Sequence, residues 1–177
     1  MERIAIIGCG GGGKSTLARE LGEILGIEVF HLDRLHWKPG WVETPKDEWR
    51  RVVEDLVKGK SWIIDGNYGG TIDIRLDAAD TIIFLDLPRW INLWRILKRR
   101  FQYGRRQRPD IGPGCPEKID WEFFRWVWTF PRERRPSLLH EVERHAAEKQ
   151  VIVLHTAREV REFVKRVRRS KVMESPA

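Results

Sequence analysis

The sequence predicts an α/β fold in which helices cover both faces of a parallel sheet. Five short apolar runs, bounded by Gly, Asp or Pro, alternate with helical segments along the chain. The runs are continuous rather than alternating in polarity, which indicates strands that are buried on both faces. A glycine-rich stretch reading GCGGGGKST separates the first run from the first helical segment. The five runs are residues 4–7, 28–32, 62–64, 81–87 and 151–154.

The helices are predicted from apolar residues at helical spacing and from residues typical of helix ends. Gly26 ends the first helix, which begins after the glycine-rich stretch. Thr44 and Pro45 provide an N-cap and a first-turn proline for the second helix, and Gly59 ends it. Thr156 caps the last helix. The apolar stripes of the five helices lie within residues 17–25, 49–57, 90–101, 138–146 and 160–167.

Length and composition fit one domain. The chain has 177 residues, of which 41% are hydrophobic and 33% charged, enough for one substantial core. No apolar run approaches the roughly 18 residues that span a membrane, and the N-terminus lacks the layout of a signal peptide. We therefore expect a cytoplasmic protein with a single domain at residues 1–169 and a disordered tail at 170–177.

The charge balance indicates an anionic partner, which a nucleotide, a nucleic acid or a lipid surface would satisfy. The formal net charge is +7, and residues 89–108 contain eight Lys or Arg and no acidic residue. A second basic cluster at 158–171 has the pattern of a solvated helix face. The two cysteines, Cys9 and Cys115, are too few for a disulfide scaffold and are expected to be reduced, with Cys9 a candidate for alkylation.

Three further segments stand apart from the predicted sheet and helices. Residues 36–41 form an aromatic loop after the second strand, and residues 104–118 are basic and rich in Gly and Pro. Loops of this length inside a compact domain are often lids or binding elements. Residues 121–130 contain six aromatic side chains, a density more typical of core packing than of a base-stacking platform.

The glycine-rich stretch predicts a nucleoside triphosphate site. Gly8, Gly13, Lys14 and Ser15 fit the phosphate-binding pattern G-x-x-x-x-G-K-[ST]. A flexible linker of similar composition need not join a buried strand to an amphipathic helix, whereas this motif requires that context. The stretch is therefore predicted to be a phosphate loop.

Each position of the loop has a predicted role. Glycines without a Cβ let main-chain N–H groups approach the β-phosphate, and the helix N-terminus adds a partial positive charge. Lys14 is expected to bridge the β- and γ-phosphates, Ser15 to ligate Mg²⁺, and Thr16 to be a weaker candidate for the α-phosphate. The predicted cofactor-binding residues of the loop are Gly8, Gly10, Gly11, Gly12, Gly13, Lys14, Ser15 and Thr16.

Three aspartates follow predicted strands, where parallel sheets place their ligands. Asp65 is favoured as the acidic partner of Mg²⁺, because an apolar run followed by Asp-Gly is similar to the Walker B strand and its tight exit. Asp33 is favoured for an acceptor, because the aromatic loop follows it. A Leu-Pro pair after Asp86 favours a structural role, and any of the three could instead cap its loop.

The order of these motifs resembles the P-loop small-molecule kinases related to adenylate kinase and shikimate kinase. More narrowly, HLDRLHWKPGW, WIIDGNY, RPDIGPGCPEKID and FRWVWTFPRERRP, within residues 1–140, are similar to bacterial proteins labelled DNA topology modulation proteins. The broad resemblance implies a three-layer α/β P-loop NTPase fold, adenylate-kinase-like, with a five-stranded parallel sheet in order 2-3-1-4-5. It also implies a closing lid, and ATP with Mg²⁺ as cofactors.

The resemblance carries over to particular residues. Arg95 and Arg99 match the lid-helix arginines that contact ATP in such kinases, and they are predicted to act in catalysis with Lys14 and Asp33. An exposed, solvated helix face is the alternative for the arginines. The implied lid is residues 102–119, with Arg105, Arg106 and Arg108 within it, and the acceptor-side insertion is residues 34–60.

The acceptor side departs from the adenylate kinase pattern. The chain has Asp-Gly-Asn-Tyr-Gly-Gly from Asp65, so the arginine that would hold a monophosphate is absent there, and Arg75 or Arg34 would have to replace it. Asp33 is expected to engage the acceptor, as a base or as an orienting group, as the matching residue of shikimate kinases does. His31 and His36, which flank it, fit ordinary loop or core histidines.

The aromatic residues Trp37, Trp41 and Tyr68 form either a wall for a planar acceptor or a staple to the core.

Two functions follow from these motifs. The first is a kinase that transfers the γ-phosphoryl group of Mg-ATP to a small hydroxyl or phosphate acceptor. The second is an ATP-binding regulator associated with nucleic acid, although no helix-turn-helix, zinc finger or RNA-binding signature supports it.

Overall fold

The computed structural model describes residues 1–103, 110–115 and 121–174. Its central sheet has five strands and is accompanied by a short antiparallel hairpin. The strands are β1 (Arg3–Gly8), β2 (Val29–His31), β3 (Trp37–Lys38), β4 (Val42–Glu43), β5 (Trp62–Asp65), β6 (Thr81–Leu85) and β7 (Gln150–Leu154). The helices are α1 (Lys14–Leu25), α2 (Leu32–His36), α3 (Lys46–Leu56), α4 (Ile72–Ala78), α5 (Arg89–Tyr103), α6 (Trp121–Glu133), α7 (Arg135–His145) and α8 (Ala157–Glu174).

The sheet has the order β2-β5-β1-β6-β7 and is parallel throughout, while β3 and β4 form the hairpin. This confirms the predicted five-stranded sheet, because the five strands numbered by themselves run 2-3-1-4-5. The register aligns Ile6 of β1 with Asp65 of β5, and Gly8 with Leu85 of β6. The carboxyl end of β1 therefore lies between the carboxyl ends of β5 and β6, which positions the segment that follows it.

Both faces of the sheet are buried, as the continuous apolar runs predict. Ala5 and Ile7 face a core that includes side chains of α3 to α7, whereas Ile4 and Ile6 face a core built with α1 and α8. Because successive side chains of a strand point to opposite faces, one strand serves two cores. The architecture thus has three layers, with helices on both sides of the sheet.

Two segments differ from the sequence-based expectations. The predicted aromatic loop after β2 is the short helix α2 followed by the β3–β4 hairpin. Residues 170–174, the first part of the predicted tail, continue α8. Residues 175–177 lie outside the described residues, as do residues 104–109 and 116–120, which include much of the predicted lid with Arg105, Arg106 and Arg108.

The described part of the predicted lid, residues 110–115, packs against the hairpin. The Gly40 N–H donates to the Gly114 carbonyl over 3.0 Å, and the buried Cys115 Sγ donates to the Lys38 carbonyl over 3.2 Å. The two predicted insertions therefore touch each other beside the sheet. Within the residues described, no helix has the length and apolarity that crossing a lipid bilayer requires.

Candidate active site

The glycine-rich stretch connects β1 to α1 at the carboxyl edge of the sheet, as a phosphate loop requires. Gly11 and Gly13 have φ angles of 77° and 92°, which place both in the left-handed region that favours glycine. Gly13 is the residue at which the chain turns into α1, so its conformation sets the direction of the helix N-terminus. The loop backbone therefore has the curvature that phosphate loops use to direct N–H groups at an anion.

Two cations are bonded to the loop itself. Lys14 Nζ donates to the carbonyl oxygens of Gly8 and Cys9 over 2.9 and 3.0 Å. Arg95 of α5 donates through Nη1 to the Gly12 carbonyl over 2.8 Å. Burial lowers the pKa of Arg95, and the positive charge of Arg161 on α8 lowers it further. The structure thus brings Lys14 and Arg95 together at the loop, and a phosphate group would relieve the mutual repulsion of the cations there.

The remaining predicted residues lie nearby along the same elements. Ser15 and Thr16 belong to the first turn of α1, directly after Lys14. Arg99 follows Arg95 by one turn of α5 and is half-buried. The loop positions Gly10 and Gly12 are in contact with other elements, Gly10 with α6 and Gly12 with the Arg95 side chain.

Asp65 ends β5 beside the start of the loop and is buried, with 4% of its side chain exposed. The Gly66 N–H donates to the Ile6 carbonyl over 3.2 Å, which ties the turn after Asp65 to β1. Oδ1 of Asp65 lies 2.6 Å from Nδ1 of His31, the last residue of β2. His31, for which we predict an ordinary loop or core histidine, is 11% exposed and is the hydrogen-bond partner of the carboxylate predicted to bind magnesium.

The donor set at this edge fits Mg²⁺. Ser15 offers a hydroxyl oxygen and Asp65 a carboxylate oxygen, and both are hard ligands of the kind that Mg²⁺ prefers. Among the residues that the structure describes, no cluster of three or more His, Cys, Asp or Glu could hold a metal by itself.

Asp33, the second residue of α2, accepts a hydrogen bond of 2.8 Å from Tyr68 Oη. Burial raises the pKa of Tyr68, and the negative charge of Asp33 and this hydrogen bond raise it further, so the phenol stays protonated as a donor. Tyr68 has a φ of 22°, an uncommon value for a non-glycine residue. The hydrogen bond therefore joins the turn after β5 to α2, the helix that carries Asp33.

The aromatic residues around Asp33 pack mainly against each other. The ring of Tyr68 lies 4.5 Å from that of His36 and 5.0 Å from that of Trp49, between ring centroids. Burial lowers the pKa of His36, which favours its neutral form in this cluster. Trp37 and Trp41 contact each other edge-on at 5.4 Å and remain half-buried. Tyr68 thus acts as a staple, while Trp37 and Trp41 keep part of their surface available.

Arg75 does not replace the missing monophosphate-binding arginine, because its guanidinium is used within the fold. It is fully buried and donates to the carbonyls of Gly66 and Asn67 over 2.8 and 2.7 Å, and to Thr71 over 3.4 Å. Burial lowers its pKa to about 10, against the attraction of Asp65. Arg34, the other predicted substitute, lies exposed on α2.

Sequence reasoning missed two asparagines that contact the loop. Asn67 accepts the Gly8 N–H through Oδ1 over 3.0 Å, which joins the turn after β5 to the phosphate loop. Asn92 of α5 is buried, donates to the Leu87 carbonyl over 3.2 Å, and lies against Gly11 and Gly12. Asn67 follows the Asp-Gly pair, and that position was the available signal, whereas nothing around Asn92 distinguishes it from the basic helix.

Asp86 and Cys9 have structural surroundings. Asp86 accepts a bidentate pair of hydrogen bonds from Arg135 over 2.7 and 2.8 Å, and His155 Nδ1 lies 3.3 Å away, in agreement with the structural role expected of it. Cys9 is 2% exposed, and burial raises the pKa of its thiol to about 11. Burial and the raised pKa both disfavour alkylation of Cys9, because the thiolate is the reactive species.

No protein-family model matches the chain. An uncharacterised protein of Bacillus subtilis (strain 168), YqaC, is 29% identical over 146 residues, which are 79% of this chain and 80% of that protein. Shikimate kinase from Acinetobacter baumannii, solved with shikimate, superposes with a TM-score of 0.65 at 14% identity, over 100% of this chain and 96% of that one. Deoxyadenosine kinase from M. mycoides superposes with a TM-score of 0.53 at 16% identity, over 97% and 99% of the two chains. The chain has the α/β fold of the P-loop kinases.

Proposed function

We propose that this protein is an ATP-dependent phosphotransferase that transfers the γ-phosphoryl group of Mg-ATP to a small hydroxyl or phosphate acceptor. One observation carries the proposal: two cationic side chains, Lys14 and Arg95, donate hydrogen bonds to the backbone of the glycine loop before α1. Two glycines of this loop have positive φ angles. A triphosphate is an anion whose charge and size suit this arrangement. The loop glycines Gly10 to Gly13 and Lys14 hold the phosphates, with Thr16 at the α-phosphate.

The same edge of the sheet supplies the remaining parts. Ser15 and Asp65 would hold Mg²⁺, which supplies positive charge to the phosphate oxygens when it is bound. His31 orients the Asp65 carboxylate through the 2.6 Å contact. Arg95 and Arg99 stabilise the charge of the transferring phosphoryl group, a contribution worth roughly 10³ to 10⁵ in rate where an arginine performs it.

Asp33 binds and orients the phosphoryl acceptor. Its carboxylate is held by the Tyr68 hydroxyl and leaves Oδ2 to accept a hydrogen bond from an acceptor hydroxyl, which orients the nucleophile. Two of the kinases of this fold, named for shikimate and deoxyadenosine, support a hydroxyl acceptor. The fully buried Arg75 supports it as well, because the adenylate kinase way of holding a monophosphate is absent at that position.

An acceptor screen tests this proposal. The chain is incubated with Mg-ATP and panels of small hydroxyl compounds and their monophosphates, and ADP release is followed. We expect at least one acceptor to raise turnover well above the rate with water, and Asp33→Asn to lower that acceptor-dependent rate by at least about tenfold while Mg-ATP still binds. Failure of the parent chain to bind Mg-ATP, or release of ADP that no acceptor accelerates, would contradict the proposal.

The exposed face of α5 favours a second candidate function, binding of single-stranded nucleic acid. Trp90, Trp94 and Phe101 are 58%, 60% and 87% exposed, at positions that share one side of the helix. The Arg89 guanidinium lies 4.5 Å from the Trp90 ring, and Lys98 Nζ lies 5.2 Å from the Trp94 ring. Aromatic rings beside cations are the combination on which bases stack.

Fluorescence anisotropy with labelled oligothymidine between 50 and 200 mM salt tests this candidate. We expect binding that weakens steeply with salt and that Trp94→Ala reduces by about tenfold, since stacking on one ring is worth about 1–3 kcal/mol. Binding that is lost near 150 mM salt and that Trp94→Ala does not change would contradict this candidate, because the basic charge of the protein would then explain it. Binding to anionic vesicles is measured for comparison, because a basic surface also binds anionic lipid.

A further inference from the structure

The outer side of the phosphate loop is packed against aromatic side chains of α6. A Cβ built on Gly10 would lie 2.7 Å from Phe123 Cζ and 3.2 Å from Trp126 Cζ3, both shorter than ordinary van der Waals contact. Gly10 does not have a positive φ, so its backbone conformation alone would tolerate another residue. Glycine is therefore required at this position because a Cβ would clash with the aromatic neighbours. In phosphate loops generally, glycine is required because the backbone approaches the phosphate closely.

The aromatic contact is anchored in the core. The rings of Phe123 and Trp126 are stacked, with centroids 5.9 Å apart and planes inclined by 13°, and Trp126 meets the buried Phe130 edge-on at 5.3 Å. These three residues are spaced at i, i+3 and i+7, which places them on one face of α6. A continuous row of rings thus runs from the core to Gly10.

A loop with four consecutive glycines needs such external support. Glycine has the largest conformational freedom in the absence of a ligand, so a loop of this composition loses much entropy when it adopts one shape around a phosphate. Packing that holds the shape beforehand removes part of this cost from binding. On the adjacent side of the loop, Ile96 of α5 reaches within 2.9 Å of the Cβ position of Gly11, so two helices restrain two successive residues.

We propose that Phe123 and Trp126 are positioning residues for nucleotide binding, which hold the phosphate loop at Gly10 in its binding shape without contacting the nucleotide. The inference rests on the proposed function, because the loop must bind a nucleotide for its shape to matter. It assigns a role in the nucleotide site to α6, a helix that lies far along the chain from the loop it supports. It also explains why an aromatic-rich segment leaves Phe123 only partly buried, at 36% exposure, since the ring covers the loop rather than the core.

A double-mutant cycle tests the inference. The variants are Gly10→Ala, Phe123→Ala and the double substitution, and the dissociation constant of Mg-ATP is measured by calorimetry at a temperature where all of them are folded. Either single change removes the same contact, one by pushing the ring away and one by deleting it. We therefore expect each to weaken binding about three- to tenfold, and the double variant to bind no more weakly than the weaker single one.

The controls match each change. Gly70→Ala adds a methyl group where no heavy atom lies within 4 Å of the Cβ position, and Trp121→Ala removes an exposed ring from α6 itself. Both are expected to bind Mg-ATP like the parent chain. Thermal unfolding is recorded alongside, because a purely structural role of Phe123 would lower Tm and leave the dissociation constant unchanged.

Three results would overturn the inference. The first is an unchanged dissociation constant for Phe123→Ala, whatever its Tm. The second is additivity, with Gly10→Ala as costly in the Phe123→Ala background as in the parent, because the methyl group would then act on the phosphates directly. The third is a parent chain that does not bind Mg-ATP, which refutes the proposed function and this inference with it. In the first two cases the proposed function stands.

Discussion

Individual side chains in this protein are defined by partners that lie far away in the sequence. Asp33 is held by Tyr68 and Asp65 by His31, and neither pair belongs to one motif. The position of each carboxylate, Asp65 at the end of β5 and Asp33 two residues after β2, was predictable from the apolar run before it. The hydrogen-bond partner of each carboxylate was not predictable. A hydrogen bond between distant residues depends on strand order and register, which a local sequence pattern does not encode.

Arg75 provides a prediction at this scale. Replacing it with Met leaves the carbonyls of Gly66, Asn67 and Thr71 without this donor in a buried place, and each such loss costs about 1–3 kcal/mol. We expect Arg75→Met to lower the free energy of unfolding by at least about 3 kcal/mol in urea titrations. Arg50→Met is the matched control, since Arg50 is exposed on α3 and should change stability by no more than about 0.5 kcal/mol. Equal effects of the two changes would contradict the role given to Arg75.

Cys9 provides a second prediction, on reactivity. With a thiol pKa of about 11, only about one molecule in a thousand carries the thiolate at pH 8, against roughly a quarter for an ordinary thiol of pKa near 8.5. Alkylation of Cys9 by iodoacetamide in the folded chain should therefore be at least about 100-fold slower than in the urea-unfolded chain. The rate should rise about tenfold per pH unit up to pH 10. Peptide mass spectrometry follows Cys9 separately from Cys115, and similar folded and unfolded rates at pH 8 would disprove the assignment.

At the scale of elements, the sequence predicted most helices and all five strands of the sheet, because their apolar periodicity is local. The hairpin of β3 and β4 was missed, since two strands of two residues each leave no periodic signal. The helical identity of 121–133 was missed as well, because dense aromatic residues obscure a helical stripe and Pro131 lies inside the helix. Both elements are stabilised by tertiary contacts rather than by their own propensity.

The junction of β1 and β6 gives a pH-dependent prediction. Asp80 lies just before β6 and accepts hydrogen bonds from the N–H groups of Glu2 and Arg3 and from the Thr81 hydroxyl. Partial burial raises its pKa, but these hydrogen bonds outweigh burial and the net shift is downward. A carboxyl with a lowered folded-state pKa stabilises the fold above its unfolded pKa, near 3.9, and this stability is lost as the pH falls through the folded value.

We therefore expect Asp80→Asn to lower the free energy of unfolding at pH 7 by about 1 kcal/mol, a modest value because the site is partly exposed to solvent. The difference from the parent should shrink as the pH falls below about 4, where the parent carboxyl also becomes neutral. Urea titrations between pH 2.5 and 7 measure it. A difference that stays constant over that range would show that the charge of Asp80 plays no part.

At the scale of the whole molecule, the glycine-rich loop joins the central strand of the sheet to a helix on one of its faces, since β1 ends in it and α1 begins from it. Ligand binding there should stabilise the entire chain by mass action. At a Mg-ATP concentration of 100 times the dissociation constant, we expect the free energy of unfolding to rise by about 2.7 kcal/mol. Lys14→Ala should abolish most of this gain, measured against the stability of the same variant without ligand, because that variant also loses the two hydrogen bonds from Lys14 Nζ to the loop. A gain of the same size in that variant would place the nucleotide elsewhere.

The sequence by itself determined the sheet, most of its covering helices and the glycine-rich turn between β1 and α1, because each is encoded by residues close together in the chain. Gly8 to Ser15 need only their own spacing to define a turn between a strand and a helix. Tertiary structure decided what surrounds the loop: Arg95 on its Gly12 carbonyl, Asn67 on its Gly8 N–H, and Phe123 against Gly10. These contacts join elements from separate parts of the chain, and they exist only once β5, β1 and β6 are aligned and α5 and α6 pack against the end of the sheet.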